Sequence, residues 1–223
     1  MKNYCNDCDD WYGNEWWNNL EIDQLYDPRF EPWGSVTWPT IANSLQPSSS
    51  NPIYYNYGDN VYYRDGSVYY GDQPVATDAE YTKQAEAIAA SAPATKPDKT
   101  DWMPIGVFAM TADGEPSGVD PNFFLQLAVS KQGVLSGTLQ NIAAKSVQPI
   151  EGMVDKQCQR AAWTVVGKSR PLMEIGAVNL TQDTSAALIH FADGSTQQCL
   201  LVRVNKPGQE QATSGEKKSS SGS

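Results

Sequence analysis

From Trp102 onward, short β-prone runs alternate with turn-forming residues, and no other feature of the chain constrains its fold as tightly. Eight runs stand out, at 104–111, 122–130, 134–140, 146–154, 158–166, 171–178, 185–191 and 196–204. Several alternate strictly: Phe123, Leu125, Leu127 and Val129 fall on one face of an extended strand, and Phe124, Gln126, Ala128 and Ser130 on the other. Lys131-Gln132-Gly133, Asp155-Lys156-Gln157 and Ala192-Asp193-Gly194-Ser195 read as hairpin turns, the Asp-Gly pair most strongly. Connections this short make successive strands antiparallel neighbours. Eight such strands close into an up-and-down barrel or flatten into a two-sheet sandwich. The expectation is a mainly β fold, an antiparallel eight-stranded meander over residues 101–205, with the barrel preferred.

The upstream half has a different texture. All 11 tyrosines precede residue 82, and five of the seven tryptophans fall between Trp11 and Trp38. Within residues 53–93, Ile53-Tyr54-Tyr55-Asn56-Tyr57, Val61-Tyr62-Tyr63-Arg64 and Val68-Tyr69-Tyr70 are separated by Gly58-Asp59-Asn60 and Asp65-Gly66-Ser67. This predicts a tyrosine-faced meander stabilised by cross-strand aromatic pairs. A helix is expected from Thr77 to about Ser91, capped by Thr77 or Asp78 and stopped by Pro93, with Tyr81, Ala85, Ile88 and Ala89 on its inward face. Residues 1–52 read as an aromatic, acidic and partly disordered arm with one helical turn around Trp16 to Tyr26. Residues 94–100 read as a linker and 206–223 as a disordered tail.

Charge and motifs then narrow the functional classes. The net charge is −10, and residues 1–75 hold 11 acids against three bases. Such a front repels phosphate backbones, so nucleic acid is not an expected partner. No apolar run is long enough for a transmembrane segment, and Met1-Lys2 is followed by no apolar stretch of an export signal.

Cys5 and Cys8 form a CxxC pair, but zinc requires four ligands and the single histidine, His190, is remote. No metal site or other cofactor is expected. Asp113, Glu115 and Asp120 lie in one loop without the spacing of a calcium-binding EF-hand. No catalytic residue is singled out, since His190 lies by a hairpin end and no phosphate loop or marked carboxylate pair accompanies it. Cys158 and Cys199 are either joined by a disulfide or separately buried thiols. Trp102 and Trp163 are core candidates, and Arg160 and Arg203 pair with Glu151 or Glu174 or lie on a solvated face.

The motifs NVYYRDGSVYYGDQPVATDAEYTKQAEAIAAS at 60–91, WMPIGVFAM at 102–110 and FLQLAVSKQGVLSG at 124–137 occur in a fixed order. They are followed by PIEGMVDKQCQRAAW at 149–163, LIHF at 188–191 and LLVRV at 200–204. Over roughly residues 33–204 this pattern resembles uncharacterised bacterial cell-surface proteins that carry a mu-protocadherin-like label. The resemblance implies an exported, surface-associated protein. It does not extend to cadherin adhesion, because the calcium-ligand signatures of cadherin repeats are missing.

The expected function is therefore a non-catalytic extracytoplasmic surface or envelope interaction domain. Tyr54, Tyr55, Tyr57, Tyr62, Tyr63, Tyr69 and Tyr70 are its candidate binding residues. A surface polymer, a carbohydrate or a protein is the expected partner. Two alternatives remain at this point: a barrel that carries a small ligand, and a carboxylate-based hydrolase.

Overall fold

A computed structural model describes residues 36–93, 97, 101–112 and 122–204. The expected CxxC pair, the tryptophans before Trp38, the acidic loop 113–120 and the tail 206–223 lie outside the described residues. Strands β4 (Trp102–Ala112), β5 (Phe123–Ser130), β6 (Val134–Asn141), β7 (Ser146–Val154), β8 (Arg160–Val165), β9 (Leu172–Gly176), β10 (Thr184–His190) and β11 (Thr196–Arg203) form a closed barrel. Each strand pairs antiparallel with its neighbour in sequence, and β11 closes on β4 through Arg203↔Phe108 to Cys199↔Ala112. The fold is mainly β, and the barrel rather than the sandwich is formed.

The alternation read along β5 decides which residues fill the barrel. Leu125, Leu127 and Val129 join Phe108, Leu135, Ile150, Trp163, Met173, Ile175, Cys199 and Leu201 in one contiguous interior cluster. Trp163 is fully buried at its centre and stands opposite Gly152 in the β7–β8 register. A Cβ on Gly152 would sit 2.6 Å from the Trp163 Cα and 2.1 Å from the Ala162 carbonyl oxygen, so only glycine lets β7 lie this close. The apolar side chains point inward, the reverse of the pattern in transmembrane barrels. Among the described residues no helix is long and apolar enough to cross a membrane.

One end of the barrel is plugged. Helix α1 (Trp38–Leu45) places Ile41 and Leu45 in the interior cluster, where they are 2 % and 1 % exposed. The chain leaving α1 is fastened to the β7–β8 turn, the Ser48 N–H donating to the Lys156 carbonyl at 2.9 Å. Residues 38–45, read from sequence as part of a loose arm, are therefore a structural stopper. The apolar pair Ile41 and Leu45 at helical spacing is the local reason.

The tyrosine-rich segment forms a three-stranded antiparallel sheet, but not from the three expected runs. Its strands are β1 (Val61–Arg64), β2 (Ser67–Tyr70) and β3 (Gln73–Thr77). Helix α2 (Asp78–Ala90) follows directly, and Thr77 and Glu80 form the reciprocal capping box at its start. Ile53–Tyr57 is extended yet belongs to no sheet, meeting Val61 only through an isolated bridge from Tyr57. Side chains of the barrel hold it instead. Gln159 Nε2 donates to the Ser49 and Asn51 carbonyls at 2.9 and 3.0 Å, while its Oε1 accepts from the Ile53 N–H. Asn179 Oδ1 accepts from the Tyr55 N–H at 3.0 Å.

Candidate functional site

The outer wall of β8, β9 and β10 carries a buried polar cluster that the sheet and α2 cover. Arg160 Nε donates to Glu174 Oε2 at 2.9 Å, and its Nη2 also reaches Glu174 and the Tyr81 carbonyl. Glu174 Oε1 lies 2.7 Å from His190 Nε2, and His190 Nδ1 faces the hydroxyls of Thr196 at 2.9 Å and Thr82 at 3.2 Å. Arg160, Glu174 and His190 are 3 %, 0 % and 1 % exposed, so Glu174 and His190 are sealed from a substrate in solvent, while an edge of Arg160 lines the cleft described below. The Tyr81 ring lies 3.7 Å from the Arg160 guanidinium carbon, a cation–π contact. Burial opposes the Arg160 charge most, yet Glu174 beside it more than compensates and holds its pKa above the usual range. The cluster ties α2 to the barrel.

The pairing of Arg160 with Glu174 matches one of the two carboxylates read from sequence; its burial does not match a solvated face. Among the described residues Arg203 takes no carboxylate. Its Nη1 donates to the Ile105 carbonyl at 2.8 Å and its Nη2 to the Leu180 carbonyl at 2.6 Å, with the Phe108 ring beneath. Trp102 and Trp163 are buried as expected. His190 stands opposite Thr196 at the β10–β11 hairpin end.

Of the seven candidate tyrosines, Tyr62, Tyr63, Tyr69 and Tyr70 lie on the sheet and Tyr54, Tyr55 and Tyr57 on the segment before it, and their side chains divide between an inward and an outward side. Tyr55, Tyr57 and Tyr63 point inward with Val61 and Val68, around Tyr81 and Leu188. Tyr57 and Tyr81 hydroxyls approach to 3.4 Å, and Tyr63 meets the Tyr81 ring edge-on at 6.3 Å. Burial pushes the hydroxyls of Tyr55, Tyr57, Tyr63 and Tyr81 above the ordinary tyrosine range. Tyr55 lies against β9, where a Cβ on Gly176 would come within 2.9 Å of its ring. Tyr54 and Tyr70 are exposed, and the Tyr70 hydroxyl donates to the Tyr54 carbonyl at 3.2 Å. Tyr62 and Tyr69 point the other way, their rings stacked at 5.4 Å and 3° apart in plane. The Arg64 guanidinium lies 4.3 Å from the Tyr69 ring centre.

Between the sheet, α2 and the barrel wall lies a cleft of about 610 Å³, lined in part by Ile53, Tyr55, Tyr70, Tyr81, Ile88 and Arg160. Sequence reasoning missed it, because its walls come from segments a hundred residues apart. A second, larger groove of about 1250 Å³ runs along the outer face of β6–β8 and the end of α2.

Cys158 and Cys199 are not joined by a disulfide, which corrects that alternative. Cys199 faces the barrel interior, while Cys158 packs outside beside Ala85, Ile88, Ala162 and Leu172. The wall of the barrel separates them. Among the described residues no three His, Cys, Asp or Glu side chains are grouped as metal ligands would be.

The architecture is thus a plugged, side-chain-filled antiparallel barrel bearing a tyrosine sheet and one helix on its outer wall. No protein-family model, curated protein or solved structure matches the chain.

Proposed function

We propose that this protein is a non-catalytic extracytoplasmic interaction domain. Its barrel is a rigid mount for the outward ladder of the tyrosine sheet, and the ladder binds a hydroxyl-rich surface polymer, a carbohydrate. The parallel stack of Tyr62 and Tyr69 beneath Arg64 carries this reading. It offers flat aromatic surface at low entropic cost, with a guanidinium edge to donate to hydroxyls, while the inward tyrosines are committed to packing.

The packed interior speaks against a ligand carried within the barrel, and the burial of Glu174 and His190 speaks against a hydrolase built on them. The surface location rests on the resemblance to mu-protocadherin-like cell-surface proteins. Binding of the full chain to a glycan array, with and without the Tyr62→Ala/Tyr69→Ala pair, tests the proposal. Glycan binding that disappears in the folded double variant supports it. An array without hits, or binding that survives the substitutions, removes the carbohydrate.

A further inference from the structure

The geometry points to a second binding site, separate from the outward ladder: the cleft between α2 and the tyrosine sheet takes a small, flat, uncharged molecule through one carbonyl-type acceptor. Three observations combine. The cleft, at about 610 Å³, falls within the ~300–1,000 Å³ range of small-molecule sites. Its floor is closed and largely apolar, Val61 being 1 % and Tyr81 3 % exposed, whereas Tyr70, Val75, Gln84 and Ala87 form an accessible rim. Aromatic walls from Tyr55, Tyr70 and Tyr81 suit a planar ligand.

The polar groups set the ligand's chemistry. Arg160 Nη1 donates to Gln84 Oε1 at 2.9 Å, an arrangement that orients the Gln84 amide and leaves one Nη1 hydrogen over. Among the described residues the Gln84 amide nitrogen has no acceptor. A carbonyl oxygen entering the cleft would therefore meet two donors side by side.

Charge then excludes anions. The Arg160 cation is already matched by Glu174, and Asp155 also lines the cleft. A carboxylate would arrive as an unmatched negative charge in a largely apolar space. The Cys158 thiol in the same wall reports that environment, since burial pushes its pKa up to about 11.

Coumarin, flat and neutral with a lactone carbonyl, and coumarin-3-carboxylate are the test pair, titrated into the ¹⁵N-labelled full chain. Coumarin should give saturable amide shifts centred on Tyr70, Gln84 and Ala87, and the carboxylate should bind at least about tenfold more weakly. Gln84→Ala should weaken coumarin, and Ala87→Trp, filling the rim from an exposed helix position, should abolish it while glycan binding by the Tyr62–Tyr69 face persists. Absent or non-saturable shifts, shifts centred elsewhere, equal affinity for both probes, or unchanged coumarin binding by Gln84→Ala would each overturn the site. None of these outcomes bears on the ladder, so the two readings fail independently.

Discussion

Arg160 and Glu174 sit on adjacent barrel strands, and although both are almost fully buried they face outward, away from the barrel's interior. Glu174 holds the guanidinium on one side and the sole imidazole of the chain on the other. Such a pair is costly to desolvate and adds little net stability, but breaking it strands one charge.

Glu174→Gln is accordingly expected to destabilise the fold by about 3–5 kcal/mol, whereas a matched apolar replacement of both residues costs far less. Urea unfolding of the two variants, followed by tryptophan fluorescence, distinguishes these outcomes. Equal losses would show that the pair itself, and not the orphaned charge, carries the stability.

Gly152→Ala is predicted to cost about 3 kcal/mol, the upper part of the overpacking range, because the new methyl meets backbone atoms that cannot swing aside. At roughly 2–4 °C per kcal/mol for a chain of this size, calorimetry should show a clear fall in Tm. Gly66→Ala, where nothing lies within 4 Å but φ is +74°, is expected to cost only left-handed backbone strain of about 1–2 kcal/mol.

Raising the pH should loosen the tyrosine sheet. The Tyr55, Tyr57, Tyr63 and Tyr81 hydroxyls have folded pKa values above their ordinary value of 10.0, and Cys158 rises from 9.0 to about 11. The folded state therefore binds these protons more tightly than the unfolded chain does. Their stabilising contribution is complete below pH ~9 and is lost as the pH climbs through and beyond 11. A spectrophotometric titration should show the four buried tyrosines ionising only as the fold opens. A single transition near the ordinary tyrosine pKa would contradict this.

Both thiols of the folded domain should resist modification. In a chain carrying Cys5→Ser and Cys8→Ser, a colorimetric thiol reagent should find two thiols in denaturant and almost none without it, and prior reduction should change nothing. Cys199 is enclosed by the barrel, and the half-buried Cys158 is kept from ionising because burial pushes its thiol pKa up to about 11.

The strands of the barrel were legible because period-two alternation and turn residues are local signals; every expected strand from 104 to 204 has its counterpart. The same rule explains the split of Tyr62 from Tyr63, neighbours that must face opposite ways. Ile53–Tyr57 was misread for a reason that lies elsewhere in the chain. Its residues favour strands, but Gln159 and Asn179 bind its backbone first, and nothing local announces partners more than a hundred residues away. His190 reads from sequence as a residue by a hairpin end, without any sign that α2 buries it against Glu174. The cleft was likewise illegible, being a gap between three elements rather than a property of any one.

The barrel begins and ends on neighbouring strands. Val204 still donates to the Val107 carbonyl at 2.8 Å, so the start of β4 and the finish of β11 share one rim. The exposed Asp193-Gly194 tip lies at the opposite rim, where a guest segment could be inserted without interrupting any strand of the barrel.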